Sequence, residues 1–134
     1  PKVQGMLTGL LDDADPEVQA EAVRLIGELK LKLASAEIAR RIATATPLVQ
    51  EEMCIALGSL GEKRAIPDLV QLLQNKASFW KRTAGTSDPV RIRAIWALSQ
   101  LLPDESASRA IASAAKDSNA MVARAASSAL ARAK

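Results

Sequence analysis

Residues 10–29 read LLDDADPEVQAEAVRLIGEL. The paired leucines Leu10 and Leu11 close one apolar pattern, and Val18 opens another. Between them lie Asp12, Asp13, Asp15 and Glu17. Asp15 before Pro16 marks a helix start. A short polar side chain accepts from the first-turn N–H groups, and proline is tolerated there because its missing N–H has no intrahelical partner. From Val18, apolar residues recur at +4, +8 and +11 as Ala22, Ile26 and Leu29. That spacing forms one stripe along an α-helix. The stretch therefore reads as a helix end, a turn and a second helix.

The pattern returns three times. Thr46-Pro47-Leu48-Val49 leads to Met53, Leu57 and Leu60. Asp88-Pro89-Val90 leads to Ala94, Leu98 and Leu101. Val122, after Ser118-Asn119-Ala120-Met121, leads to Ala126, Leu130 and Ala133, with Ser118 as the candidate cap. The leading valines are 31, 41 and 32 residues apart, so a period of 31 carries one insertion of ten residues between Gln74 and Ser87. A repeat of this length marks a solenoid, in which each helix pair buries its stripe only against its neighbours. The helix pairs fall at residues 2–11 with 16–29, 36–44 with 47–60, 65–74 with 89–102, and 106–115 with 119–132. The fourth pair is dominated by alanine, so it is expected to dock most weakly.

The strings LLDDADPEVQAEAVRLIGEL and ALGSLGEKRAIPDLVQLLQN (residues 56–75) resemble HEAT repeats, of the bacterial type first noted in phycobilisome lyase proteins. The resemblance implies an all-α fold, a right-handed α–α superhelix of about four helix pairs in a single domain over 1–134. Its repeats would span about 2–29, 36–60, 65–102 and 106–132, with the insertion at about 75–87. It also implies that the second helix of each pair lines the concave surface. The sequence departs from the family pattern in places. The customary Arg after the valine stands only at Arg91, with Gln19, Gln50 and Ala123 elsewhere. The turn aspartate stands at Asp13 and Asp117, but Thr44 takes its place in the second repeat. An Asp–Arg ladder along the turns is therefore expected to be incomplete. Gly61 suits a helix C′ position, whereas Lys30-Leu31-Lys32 offers no glycine.

Composition excludes several chemistries. There is no histidine and one cysteine, Cys54. Histidine-dependent triads and zinc sites, internal disulfides and CxxC sites are all ruled out. No cofactor or metal is expected. Cys54 reads as a small unreactive hydrophobe. The acidic run at 12–17 lacks the Gly and the distal Glu of a calcium loop. Glu51 and Glu52 diverge by about 100° on a helix, so they do not converge on one substrate atom. No apolar run is long enough to span a membrane. No leader is visible, and the expected compartment is the cytoplasm. Net charge is +3 but uneven: residues 1–67 carry 8 basic and 10 acidic groups, and residues 68–134 carry 10 and 5.

Offsets +2, +6 and +9 from each valine point away from the stripe. The central repeats place Ile55, Ile92 and Trp96 there, an apolar patch where polar residues are expected. The +9 column is small throughout (Gly27, Gly58, Ser99 and Ala131), which predicts room for something to approach closely. The insertion adds Phe79, Trp80, Lys81 and Arg82, aromatic and basic types enriched at binding hot spots. Residues 76–93 hold five basic groups against Asp88. A buried, structural Trp96 is an equal alternative, as are Phe79 and Trp80 pinned to their own repeat. These features predict a non-enzymatic protein–protein interaction scaffold with an acidic protein partner. Ile55, Phe79, Trp80, Lys81, Arg82, Ile92 and Trp96 form its contact set. Nucleic-acid binding through the basic second half is the first alternative. A subunit of a chromophore lyase-like enzyme, implied by the resemblance alone, is the second.

Overall fold

A computed structural model describes residues 2–76 and 85–133. Among the described residues the chain forms helices and turns. The helices are α1 (Lys2–Leu10), α2 (Pro16–Glu28), α3 (Ser35–Arg41), α4 (Pro47–Leu60), α5 (Ile66–Gln74), α6 (Asp88–Gln100), α7 (Glu105–Ala114) and α8 (Ala120–Ala133). Single 3₁₀ turns at Lys32–Ala34 and Lys63–Ala65 lead into α3 and α5. Each odd-numbered helix packs on the even-numbered helix that follows it. The even-numbered helices also stack directly, α2 on α4, α4 on α6 and α6 on α8. The result is an all-α, solenoid-like array of neighbouring helix pairs. None of the described helices is long and apolar enough to cross a membrane.

Local chemistry sets the helix starts. Asp15 Oδ1 accepts from the Glu17 N–H at 2.9 Å, and Asp104 Oδ1 accepts from the Ala107 N–H at 3.0 Å. At α8 the cap is Asn119, not Ser118. Asn119 Oδ1 accepts from the N–H groups of Met121 and Val122 at 2.9 and 3.1 Å. Ser118 stands one residue too early for that reach.

The valine-led stripe is buried in full in α4 (Val49, Met53, Leu57, Leu60) and along α6 and its C-cap (Val90, Ala94, Leu98, then Leu101). At the ends of the array it fails. Val18 is half-buried, Leu29 is exposed, and Ala133 is exposed. Periodicity fixes a helical face, but burial needs a neighbour on both sides. α8 buries only Val122, Ala126 and Ala129, and its contact with α6 is less extensive than those of α4 with α2 and α6. This fits the expected weak docking of the fourth pair.

α2 stops without a glycine. Lys30 adopts φ 55°, close to the 65° of Gly61 at the end of α4. Both ends close with the same pair of bonds. Lys30 and Leu31 donate to Gly27 and Ile26, as Gly61 and Glu62 donate to Gly58 and Leu57. A left-handed non-glycine residue costs roughly 1 kcal/mol. Lys30→Gly is therefore expected to raise stability by somewhat under about 1 kcal/mol, since glycine also adds entropy to the unfolded chain. Urea titration of the two proteins checks this. A Lys30→Gly variant no more stable than the parent would show that the Lys30 ammonium, which donates to the Ser59 carbonyl at 3.1 Å, offsets the backbone cost.

Candidate protein-interaction face

The even-helix layer carries the predicted site, and the +9 column decides its shape. The next helix approaches both Gly27 and Gly58; it fills the space at Gly58, while Gly27 still lines an open cleft. A Cβ on Gly27 would lie 3.2 Å from the Ala56 Cα, and one on Gly58 would lie 3.0 Å from the Ala97 Cα. These glycines are crossing points where α4 meets α2 and α6 meets α4. The expected room at this column is therefore closed at Gly58 and kept at Gly27.

The +6 residues lie beside those crossings. The Trp96 ring covers Gly58 so closely that a Cβ there would meet the ring at 2.7 Å. Trp96 and Ile92 are half-buried and pack against the core. Ile55 holds the equivalent place on α4, beside Gly27. It is smaller than tryptophan, and a cleft of about 250 Å³ remains between α2 and α4. Ile55, Gly27 and Ala56 supply its apolar surface. Arg24, Glu28, Lys30 and Glu52 supply charge.

The charges on this face are organised. Arg24 pairs with both Glu21 and Glu28 on its own helix. Burial pushes the Glu52 carboxyl above the usual range, only partly countered by Arg24 and Arg93. Glu51 turns the other way, 3.6 Å from Arg93 of α6. Cys54 is fully buried, and desolvation pushes its thiol up to about 12, so it stays protonated at neutral pH.

The insertion starts from a closed neck, with the Thr86 N–H donating to the Asn75 carbonyl at 2.6 Å. Phe79, Trp80, Lys81 and Arg82 lie outside the described residues. Of the five basic groups in 76–93, three are engaged: Lys76 with Asp117, Arg91 with Asp117 and Asp88, and Arg93 with Glu51. Arg91 is buried and cannot meet a partner. A larger depression of about 760 Å³ lies in the odd-helix layer, lined by residues such as Pro67, Gln71, Gln74 and Ser106. Its lining carries one charged group, Asp68.

The family model for HEAT repeats matches residues 3–87, more than half of the chain. The chain belongs to the HEAT-repeat family. No curated protein matches it. HEAT repeats generally mediate protein–protein interaction, and the fold is typically a non-catalytic scaffold.

Within this HEAT array the residue after the leading valine ties the turn of its own pair in the first three repeats; Ala123 in the fourth has no donor. Gln19 donates to the Asp13 carbonyl. Gln50 donates to the Ile42 carbonyl at 2.9 Å, and Arg91 Nε donates to the Leu73 carbonyl at 2.8 Å. Arginine has the reach and two further nitrogens to spare, where glutamine keeps a single N–H. Arg91 uses them on Asp117 of the next repeat at 2.6 Å. The rung is buried at both ends, with side chains 4% and 1% exposed. Residue 44, where a rung from position 19 would land, is a threonine. Glutamine at 19 is sufficient there.

Proposed function

We propose that this HEAT-repeat chain is a non-enzymatic interaction module that grips a protein partner with its even-helix layer. The contact set is Ile55, Ile92 and Trp96, joined by Phe79, Trp80, Lys81 and Arg82 of the insertion. The observation that supports it best is the α2–α4 cleft. Its volume, about 250 Å³, is below the roughly 300–1,000 Å³ of small-molecule sites. It suits one large apolar side chain of a partner, with charged groups at the rim to fix register. Lys81 and Arg82 are the groups assigned to an acidic partner, because the other three basic residues of the segment already have carboxylates. That pairing also weakens the nucleic-acid reading, which needs free positive charge along a backbone.

The test fills the cleft without disturbing the core. Ile55→Trp copies the arrangement at Trp96. A partner recovered by nuclease-treated affinity capture is titrated against wild type, Ile55→Trp and Trp80→Ala at two salt concentrations. The expected result is a loss of about tenfold or more in affinity for each variant, or about 1.4 kcal/mol, with unchanged thermal midpoints. Equal affinity for Ile55→Trp would remove the cleft from the interface. Capture that is lost on nuclease treatment, with salt-sensitive binding to an oligonucleotide in its place, would favour nucleic acid.

A further inference from the structure

The carboxylates on the even-helix face are not alike. Glu21 and Glu28 both pair with Arg24. Glu51 lies 3.6 Å from Arg93. Glu52 has no ion-pair partner among the described residues, although it is half-buried and lines the α2–α4 cleft. Arg24 and Arg93 attract it from a distance, but burial outweighs them. A carboxylate partly stripped of water and unpaired carries a cost that an arriving cation would remove. The cations already at the cleft are committed elsewhere. Arg24 has two carboxylates of its own. Lys30 donates to the Ser59 carbonyl at 3.1 Å, seven residues beyond Glu52 and therefore about 10 Å further along α4. At and beside the cleft stand two cations, Arg24 and Lys30, against three carboxylates, Glu21, Glu28 and Glu52. The balance is negative, and Glu52 is the group that lacks a counter-charge.

The apolar part of the cleft adjoins this carboxylate. Ile55 and Ala56 follow Glu52 at i+3 and i+4, so all three share one face of α4, with Gly27 opposite on α2. We infer that the partner side chain taken by this cleft is a long basic one, whose aliphatic stem packs on Ile55 and Ala56 and whose charged head pairs with Glu52. The inference rests on the cleft reading given under Proposed function and deepens it: the apolar group that enters is the stem. Lysine and arginine bury their stems in this way while keeping the head at a polar rim. An uncharged hydrocarbon side chain would shed more water from Glu52 and give it nothing in return. One such basic residue is compatible with an otherwise acidic partner, whose carboxylates are assigned to Lys81 and Arg82.

Two small probes test it on the 134-residue chain. Nα-acetyl-lysine N-methylamide and its norleucine counterpart share the same stem and differ only in the terminal ammonium. Each is titrated at neutral pH and low salt while the methyl signals of Ile55 are followed by NMR. Affinities on the order of millimolar are expected for ligands of this size. In wild type the lysine compound is expected to bind at least about threefold more tightly than the norleucine compound. Glu52→Gln is expected to remove that preference. Glu51→Gln should keep it, because Glu51 already answers to Arg93. Both variants preserve side-chain shape, and their thermal midpoints check that they fold. A norleucine compound that binds wild type as tightly as the lysine compound overturns the inference and leaves the cleft reading standing. A preference that survives Glu52→Gln overturns it too. So does one lost equally in Glu51→Gln, which would trace the effect to the general charge of the face. No movement of the Ile55 signals with either compound overturns the inference and the cleft reading together.

Discussion

Gly58→Leu is expected to destabilise the protein by about 3 kcal/mol, although leucine is the better helix former. The side chain would enter a crossing where even a Cβ lies 2.7 Å from the Trp96 ring and 3.0 Å from the Ala97 Cα. The ring cannot swing away without exposing its half-buried face, and the Cα belongs to α6 itself. α4 and α6 must therefore separate. A loss of this size is a large part of the roughly 5–15 kcal/mol that holds a typical domain together. Urea unfolding should show a lower midpoint with an unchanged slope. Gly5→Ala is the control. Nothing lies within 4 Å of a Cβ there, so helix propensity alone should make it neutral or stabilising by up to about 1 kcal/mol. A double-mutant cycle identifies the obstacle. Gly58→Ala should cost less in a Trp96→Ala background than in wild type, because the ring is gone. Equal costs in both backgrounds would mean that the Ala97 backbone sets the whole penalty.

The same crossing shows how far the sequence could be read. Helix pairs, their order and the insertion followed from the spacing of Val18, Val49, Val90 and Val122, because an amphipathic period is a local property of the chain. The small +9 column was equally visible, but its meaning was not. Gly58 meets Trp96, thirty-eight residues later, and no local pattern reveals which helix fills the gap. Ile55 and Trp96 occupy equivalent positions, yet one leaves a cleft and the other closes it. That difference is one of side-chain volume against a neighbour, which periodicity does not encode. Arg91 illustrates the reverse case. Counted as charge it pointed to a partner, whereas its register with the turn aspartate Asp117 pointed to a rung, and the register reading is the one the fold uses. The exposed stripe of α1 was hidden for another reason. Val3, Met6 and Leu10 look like any buried face, yet all three are exposed, because burial depends on a neighbouring helix that periodicity does not encode.

Asp117→Ala is expected to cost about 3 kcal/mol, because it leaves the buried Arg91 guanidinium with only the longer pairing to the half-exposed Asp88. Replacing the pair together, as Arg91→Met with Asp117→Leu, should recover much of that loss, since removing both charges also removes their desolvation penalty. The pH dependence has a definite sign. The Arg91 guanidinium holds the Asp117 carboxyl well below the usual carboxylate range, against the opposing effect of burial, with Lys76 and the Asn119 N–H adding to the shift. A group whose pKa is lower in the folded state stabilises above its unfolded pKa and loses that contribution as pH falls. Wild type should therefore lose stability as the pH drops below about 4, the ordinary aspartate value. Asp117→Asn should start less stable at neutral pH and lose less over the same interval. Any slope that remains comes from other shifted carboxylates such as Glu62, held down by the Arg64 N–H and guanidinium. Identical pH slopes for the two proteins would show that the rung contributes nothing as an ion pair. The rung also reaches the insertion. Lys76 at its neck bonds to the same Asp117 oxygen at 2.8 Å as Arg91 does at 2.6 Å. Asp117 thus holds the fourth repeat, α6 and the base of the aromatic–basic segment at one point. If Trp80 contributes to partner binding, Asp117→Asn should weaken that binding at temperatures where the protein is still folded. A binding loss confined to Trp80→Ala would place the neck outside that role.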